Sequence, residues 1–411
     1  MNPSGKRNIL TLSLILAVAT IPLENNWNSL AIVFFCLSTA IQQPVRDSIA
    51  NVKKDNYWKL TTLFFLWMAA TWFWDSTGGF PFKYLEPSAS FVFLPLVMAM
   101  MPRLTTKQLV ITVYAFIASV IVVCVICLVK SYIEYTHTHD LRVFFYHYLG
   151  FQMGLNAIYL SNYCIACISW LLYMRFIYKG EKIFVPGYWL TIITCAFLFV
   201  MMFMLSSKMS LALLFLLIVF MALYIGYKKK VLMYTVSIMA VLTISGWFLT
   251  KKFGYLNWRI ATTELKKYSG KEDDNNGLAL RITTWTTALE LISEEPLLGY
   301  GLRGANEELV NRYKEINFQP GIAERYNSHN QFMETTLRSG IIGLILLLVI
   351  IGVPFVSSLR QHKMLLTLMI VHFLLVSMVE GILEIQQEFV FYLFFIFLFH
   401  YHYFRNNKIA A

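Results

Sequence analysis

Charge is what this chain has least of. Only 14% of its 411 residues are Asp, Glu, Lys or Arg, while 58% are hydrophobic. Soluble domains carry about a quarter charged residues, so a freely soluble enzyme of this length is excluded. Acidic residues are the scarcer sign, 23 against 34 Lys and Arg, which leaves a formal charge of +11. No Gly-x-x-x-x-Gly-Lys loop occurs, so nothing indicates ATP hydrolysis. Internal repeats, low-complexity tracts and a separate soluble domain are also missing. The cysteines Cys36, Cys124, Cys127, Cys164, Cys167 and Cys195 all fall in apolar runs. Their two Cys-x-x-Cys pairs have no polar loop to fold around zinc and read as small apolar side chains between helices.

Long apolar runs are abundant. A bilayer core of about 30 Å needs roughly 20 helical residues, and such runs recur at 7–23, 27–43, 57–74, 88–102, 108–129, 154–174, 187–205, 209–226, 231–249, 338–359, 363–380 and 387–404. Their polarity does not alternate, which excludes a β-barrel. The expectation is an all-α polytopic membrane protein of about twelve spans, the fourth tilted or re-entrant. Lys6-Arg7 before an apolar run with Ala17-Val18-Ala19 has the form of a secretory signal; an uncleaved first span fits the rest of the chain better. With the N-terminus inside, eighteen basic residues fall in the inner loops and four (Lys83, Lys130, Arg142 and Lys208) in the short outer ones. That asymmetry puts both termini in the cytoplasm and the long loop outside. The inner basic rim needs anionic lipid headgroups to explain it, and no nucleic acid. Three segments follow: spans one to nine over 1–249, an outer loop over 250–337, and spans ten to twelve over 338–411. Nine plus three around an outer loop is unlike a symmetric carrier and points to chemistry on the outer face.

The outer loop is patterned. Leu278, Ile282, Trp285, Leu289 and Ile292 are spaced as one stripe of an amphipathic helix. Asn275-Asn276-Gly277 starts it, and Pro296 with Gly299-Tyr300-Gly301 stops it. A second helix is expected from Ser328, capped with Gln331 in a capping box and running unbroken to Leu359. That is longer than a bilayer requires, so its first turns should stand clear on the outer side and carry His329.

Few residues here can carry chemistry. His329 is the general-base candidate, since its ordinary pKa of about 6.5 leaves an imidazole able to take a proton near neutrality; the plain alternative is a histidine of the helix cap. Arg281, expected in the first turn of the amphipathic helix, is either a solvated or lipid-phosphate cation or an anion site made with the helix N-terminus. Lys208, in the outer turn after Leu205-Ser206-Ser207, is either an interfacial anchor or a phosphate contact. Arg338 at the membrane edge is adequately explained by snorkelling. Glu380, Glu384 and Glu388 form an acidic strip, and Glu380 should have a basic partner. At that spacing the three cannot all ligate one ion.

Together, "LRITTWTTALELISEEPLLGYG" (280–301) and "YNSHNQFMETTLRSGIIGL" (326–344) resemble the O-antigen ligase and polymerase superfamily. The shared pattern is an arginine, a tryptophan four residues on, Pro-x-x-Gly-x-Gly, then His-Asn before a span. Arg281, Trp285, Pro296, Gly299, Gly301, His329 and Asn330 match it in order. The motifs cover about a fifth of the chain; the span layout extends the similarity. The resemblance implies a GT-C-like, metal-independent, inverting glycosyl transfer on the periplasmic face of the bacterial inner membrane. The donor would be an undecaprenyl-pyrophosphate-linked glycan. The acceptor would be lipid A–core in a ligase or another lipid-linked glycan in a polymerase. His329 would activate the acceptor hydroxyl, Arg281 would bind the pyrophosphate, and Trp285, Asn330, Arg338 and Glu380 would support them. The family has an arginine in a Ser-Arg turn where this chain has Ser207-Lys208, which keeps the charge and loses the bidentate fork. A ligase is the first reading. Polymerase, protein O-oligosaccharyltransferase and a non-enzymatic lipid-linked-glycan transporter are the alternatives.

Overall fold

The computed structural model describes residues 3–23, 25–78, 80–178, 185–205, 208–228, 230, 233 and 277–404. Among them every regular element is helical: α1 Pro3–Ala19, α2 Asn25–Ala40, α3 Val45–Lys53, α4 Asn56–Ala70, α5 Phe82–Leu85, α6 Ser90–Met100, α7 Thr106–Thr138, α8 Tyr146–Phe151, α9 Ala157–Phe176, α10 Tyr188–Met204, α11 Lys208–Lys228, α12 Gly277–Glu294, α13 Gly304–Glu315, α14 Gln319–Ala323, α15 Gln331–Arg360, α16 Met364–Ser377 and α17 Gln386–Phe404.

Each expected span except 231–249, of which all but Met233 lies outside the described residues, falls on one of these helices. Four of them, α7, α9, α11 and α15, are long and apolar enough to cross a membrane. The pair α2–α3, bent by 105° at a break that holds Pro44, makes a fifth if it is one span. Other helices are shorter than the apolar runs that contain them: α6 has 11 residues, carries Pro95 and stops before Pro102.

Starts are written locally. Thr105 and Gln108 form a full capping box at α7, and Asp55 accepts from Trp58 N at 2.8 Å to cap α4. The centre is α17, apolar on every face and buried along nearly its whole length. Phe391 stacks on Phe116 of α7 at 5.3 Å, and Phe395 meets Trp170 of α9 at 4.8 Å. Outward-facing residues are also apolar: Trp189 and Ile193 of α10 are 74% and 63% exposed. Such a surface is stable against hydrocarbon and a liability in water.

The expected unbroken helix after Ser328 is interrupted. Gly340 (φ 65°, ψ −174°) splits α15 in a backbone region that is essentially glycine-only. A break frees main-chain groups that must be satisfied elsewhere. The turn after α12 does this. Tyr300 N donates to Leu337 O at 2.7 Å and Gly301 N to Arg338 O at 3.1 Å, while Ile341 N donates to Pro296 O at 2.9 Å. From α4, Trp67 Nε1 donates to Ser339 O at 2.9 Å; beyond its end, Trp74 Nε1 donates to Leu298 O at 3.1 Å. The Pro-x-x-Gly-x-Gly motif thus has a physical reason. Gly299 and Gly301 take positive φ, and a Cβ on Gly299 would lie 2.4 Å from Leu337 O.

A side chain at 340 meets two obstacles, since its Cβ would lie 1.9 Å from Leu297 O and the conformation itself costs about 1–3 kcal/mol. Gly340→Ala is expected to cut the yield of monodisperse protein and lower its melting temperature. Wild-type thermal stability in the purified variant would contradict this account of the break.

Candidate active site

Arg281 is the fifth residue of α12, one turn deeper than expected. The buried face of that helix is Ala279, Thr283, Thr284, Thr287, Ala288 and Leu291, while Leu289 is 52% exposed. The anticipated apolar stripe is therefore offset, and small side chains allow close approach to α15. Trp285 and Ile292 pack at the edges of the cores, and Trp285 Nε1 donates to His329 O at 3.4 Å.

His329 does not lie in the first turn of α15. It stands just outside the helix in a left-handed conformation (φ 46°). Asn330 is the cap, accepting from Phe332 N at 3.0 Å and Met333 N at 3.1 Å. Ser328, the expected cap, is used otherwise: its N and Oγ both donate to Glu334 Oε2, at 3.1 and 2.9 Å. The His329 backbone is held by Asn327 Oδ1 at 2.9 Å, and Tyr326 packs edge-on to the imidazole at 5.4 Å.

The turn between α16 and α17 completes the site. Glu380 accepts from Arg281 Nη2 through Oε1, and its Oε2 lies 3.3 Å from His329 Nδ1. Arg281 Nε donates to Val379 O at 3.2 Å, and Asn330 Nδ2 to Met378 O at 3.0 Å. Arginine, histidine and glutamate from three separate elements therefore meet. Burial pushes the Glu380 carboxyl up, but the His329 hydrogen bond and the Arg281 charge outweigh it and hold the group below the ordinary carboxylate range. A carboxylate can only accept, so Nδ1 carries the proton toward Glu380, and the neutral form of the ring has its lone pair on Nε2.

Arg338 is not a snorkelling cation. Its side chain is 7% exposed, lies 2.9 Å from Glu334 Oε1, and also pairs with Glu384. The three glutamates of the acidic strip take three different partners: Arg281 with His329 for Glu380, Arg338 for Glu384, and Asn162 Nδ2 at 3.3 Å for Glu388. Residues 378–385 are a turn, so the helical spacing does not hold there. Lys208 opens α11, but its side chain and the preceding Ser206-Ser207 lie outside the described residues. Among the described residues no three His, Cys, Asp or Glu side chains gather to hold a metal ion.

Two contributors were not picked out in the sequence. Asp75 accepts from Arg303 N at 2.8 Å and Gly304 N at 3.1 Å, capping α13 from a loop more than two hundred residues away. Burial raises its carboxyl, and the bonds from Thr77, Arg303 and Gly304 bring it below the usual value. Glu334 is the other, and its placement four residues before Arg338 is a helical ion-pair spacing that could have exposed it.

Comparison with known proteins follows the same residues. Residues 193–348 match the family model described as O-antigen ligase, a stretch that contains Arg281, Trp285, the glycine turn, His329 and Asn330. This stretch of the chain is O-antigen ligase-like. A Haemophilus influenzae protein described as uncharacterized is 27% identical over 146 residues, 34% of this chain and 37% of that one. The chain therefore aligns with well under half of that relative's length. In this O-antigen ligase-like stretch, the arginine and the histidine of the motif are brought onto a carboxylate that lies beyond the matched segment, at Glu380.

Proposed function

We propose that this protein is a membrane glycosyltransferase that moves a glycan from undecaprenyl pyrophosphate to a sugar hydroxyl on the periplasmic face, with lipid A–core as the acceptor. The observation that carries the reading is the meeting of Arg281 and His329 on Glu380. Such a transfer has two needs. A sugar hydroxyl is a poor nucleophile and requires a base within hydrogen-bond reach. Pyrophosphate leaves readily when fixed positive charge meets it, which is work a cation can do in place of a divalent metal.

Each group has a step. His329 Nε2 takes the acceptor proton as the acceptor oxygen attacks the anomeric carbon from the face opposite the leaving group. The bond from that carbon to the pyrophosphate oxygen breaks, configuration inverts, and Arg281 stabilises the charge that develops on the departing phosphate. Glu380 fixes the imidazole tautomer and balances the imidazolium. The proton then returns to water or to the pyrophosphate. A lipid-borne donor and an aqueous acceptor meet at a membrane boundary, and a histidine in a loop leading into an apolar helix suits that meeting.

Lys208 is assigned the second phosphate contact. Lys208→Ala should lower transfer by about 10-fold or more, as expected when a charge-assisted contact is lost, and Lys208→Arg should restore it. Equal rates in all three proteins would leave Lys208 as an interfacial anchor.

The test of function is chemical. In a deletion strain, the undecaprenyl-linked and lipid A-linked glycans are extracted and sized. Long polymer stranded on the carrier with bare lipid A–core is the expected result. Single repeat units on both would make the protein a polymerase, and unchanged pools would overturn the proposed acceptor.

A further inference from the structure

The proposed mechanism leaves the most buried ion cluster of the outer region without a task. Arg338, Glu334 and Glu384 lie beneath the His329 site; Glu334 is fully buried and the Arg338 side chain is 7% exposed. Sequestering three charges costs several kcal/mol per ion unless geometry and hydrogen bonds compensate, so such clusters are weak evidence for stability and better evidence for a specified geometry.

The connections show which geometry. Glu334 Oε2 accepts from Ser328 N and Oγ, the residue immediately before His329. Glu334 Oε1 faces Arg338, which reaches across to Glu384. Glu384 belongs to the turn that presents Glu380, and that turn is also held by Leu383 N donating to Gln331 Oε1 at 2.8 Å. Tyr84 covers the guanidinium at 5.6 Å. Gly340, two residues on, opens α15 at this point.

We infer that Arg338 is a positioning residue: with Glu334 and Glu384 it bridges the His329 loop to the Glu380 turn, setting the distance between the imidazole and its carboxylate. The inference rests on the transfer mechanism above. It gives the left-handed His329 a support on each side although no helix contains it. Burial, with the neighbouring Glu334, lifts the Glu384 carboxyl against the opposing pull of Arg338.

Hydrogen–deuterium exchange on the full-length protein in nanodiscs tests the bridge without relying on turnover. Arg338→Met is the direct variant. Because it strands two buried carboxylates, a neutral triple variant (Glu334→Gln, Arg338→Met, Glu384→Gln) accompanies it. Faster exchange is expected in both 326–330 and 379–384, with α7 and α9 unchanged. In a transfer assay kcat should fall by about 10- to 100-fold, as displacement of a catalytic group by about 1 Å produces, while the KM for the donor is retained. Unchanged exchange in either loop, or full kcat in a folded neutral variant, overturns the bridge. If both loops loosen while the wild type transfers no glycan, the bridge stands and the transferase reading fails.

Discussion

Alanine at position 329 is expected to slow glycan transfer by about 10²- to 10⁴-fold, the usual worth of a positioned general base. The loss should fall on kcat, because the imidazole acts on the proton that moves in the transition state. The backbone complicates the choice of variant, since His329 is left-handed and a non-glycine residue there is strained. His329→Asn is the cleaner substitution: asparagine tolerates that conformation and cannot act as a base. Both variants should accumulate normally in the membrane. If His329→Asn turns over within a few-fold of wild type, the base lies elsewhere.

Arg281→Ala is expected to cost about 10²- to 10³-fold, the range seen when one electrostatic stabiliser of a developing anion is removed. A second effect must be separated from it. Glu380 has a side chain 13% exposed, and losing Arg281 removes the guanidinium but leaves the His329 contact at 3.3 Å. Breaking a buried pair costs about 3–5 kcal/mol at most, and the surviving His329 contact reduces that. Arg281→Lys keeps the charge without the fork that reaches Glu380 and Val379 O together. Its rate should fall between wild type and alanine, and its melting temperature should stay near wild type. A rate loss in Arg281→Ala that tracks only the fraction of folded protein would assign Arg281 a structural role.

Helical content, and Arg281 and His329 as the pair to look at, were legible in the sequence because both are written in local pattern. Apolar runs announce helices, and the Arg-Trp and His-Asn spacing survives as linear text. What failed was decided by distant partners. Ser328 and Asn330 are both good caps, and residue type alone does not choose between them. Glu334 takes Ser328, so Asn330 caps. The break at Gly340 is a tolerable glycine in an apolar run until the turn at Pro296–Gly301 supplies donors for the freed carbonyls. The α12 stripe was misplaced because its partner face favours Ala and Thr over Leu, a preference set by close approach to α15. Arg338 read as a snorkelling cation because one of its two carboxylates, Glu384, comes from a turn 46 residues further along the chain. Asp75 carried no signal, since its partners are backbone amides in another part of the molecule.

The central claim is that His329, aligned by Glu380, activates the acceptor while Arg281 receives the pyrophosphate. The measurement that tests it most directly is single-turnover transfer by the purified protein in nanodiscs, with an undecaprenyl-pyrophosphate glycan, a lipid A–core acceptor and excess chelator, comparing wild type with His329→Asn. Rapid release of undecaprenyl pyrophosphate by wild type alone, with donor binding equal in the two proteins, is the predicted result. Equal rates, or wild-type turnover that requires added magnesium or manganese, would contradict it.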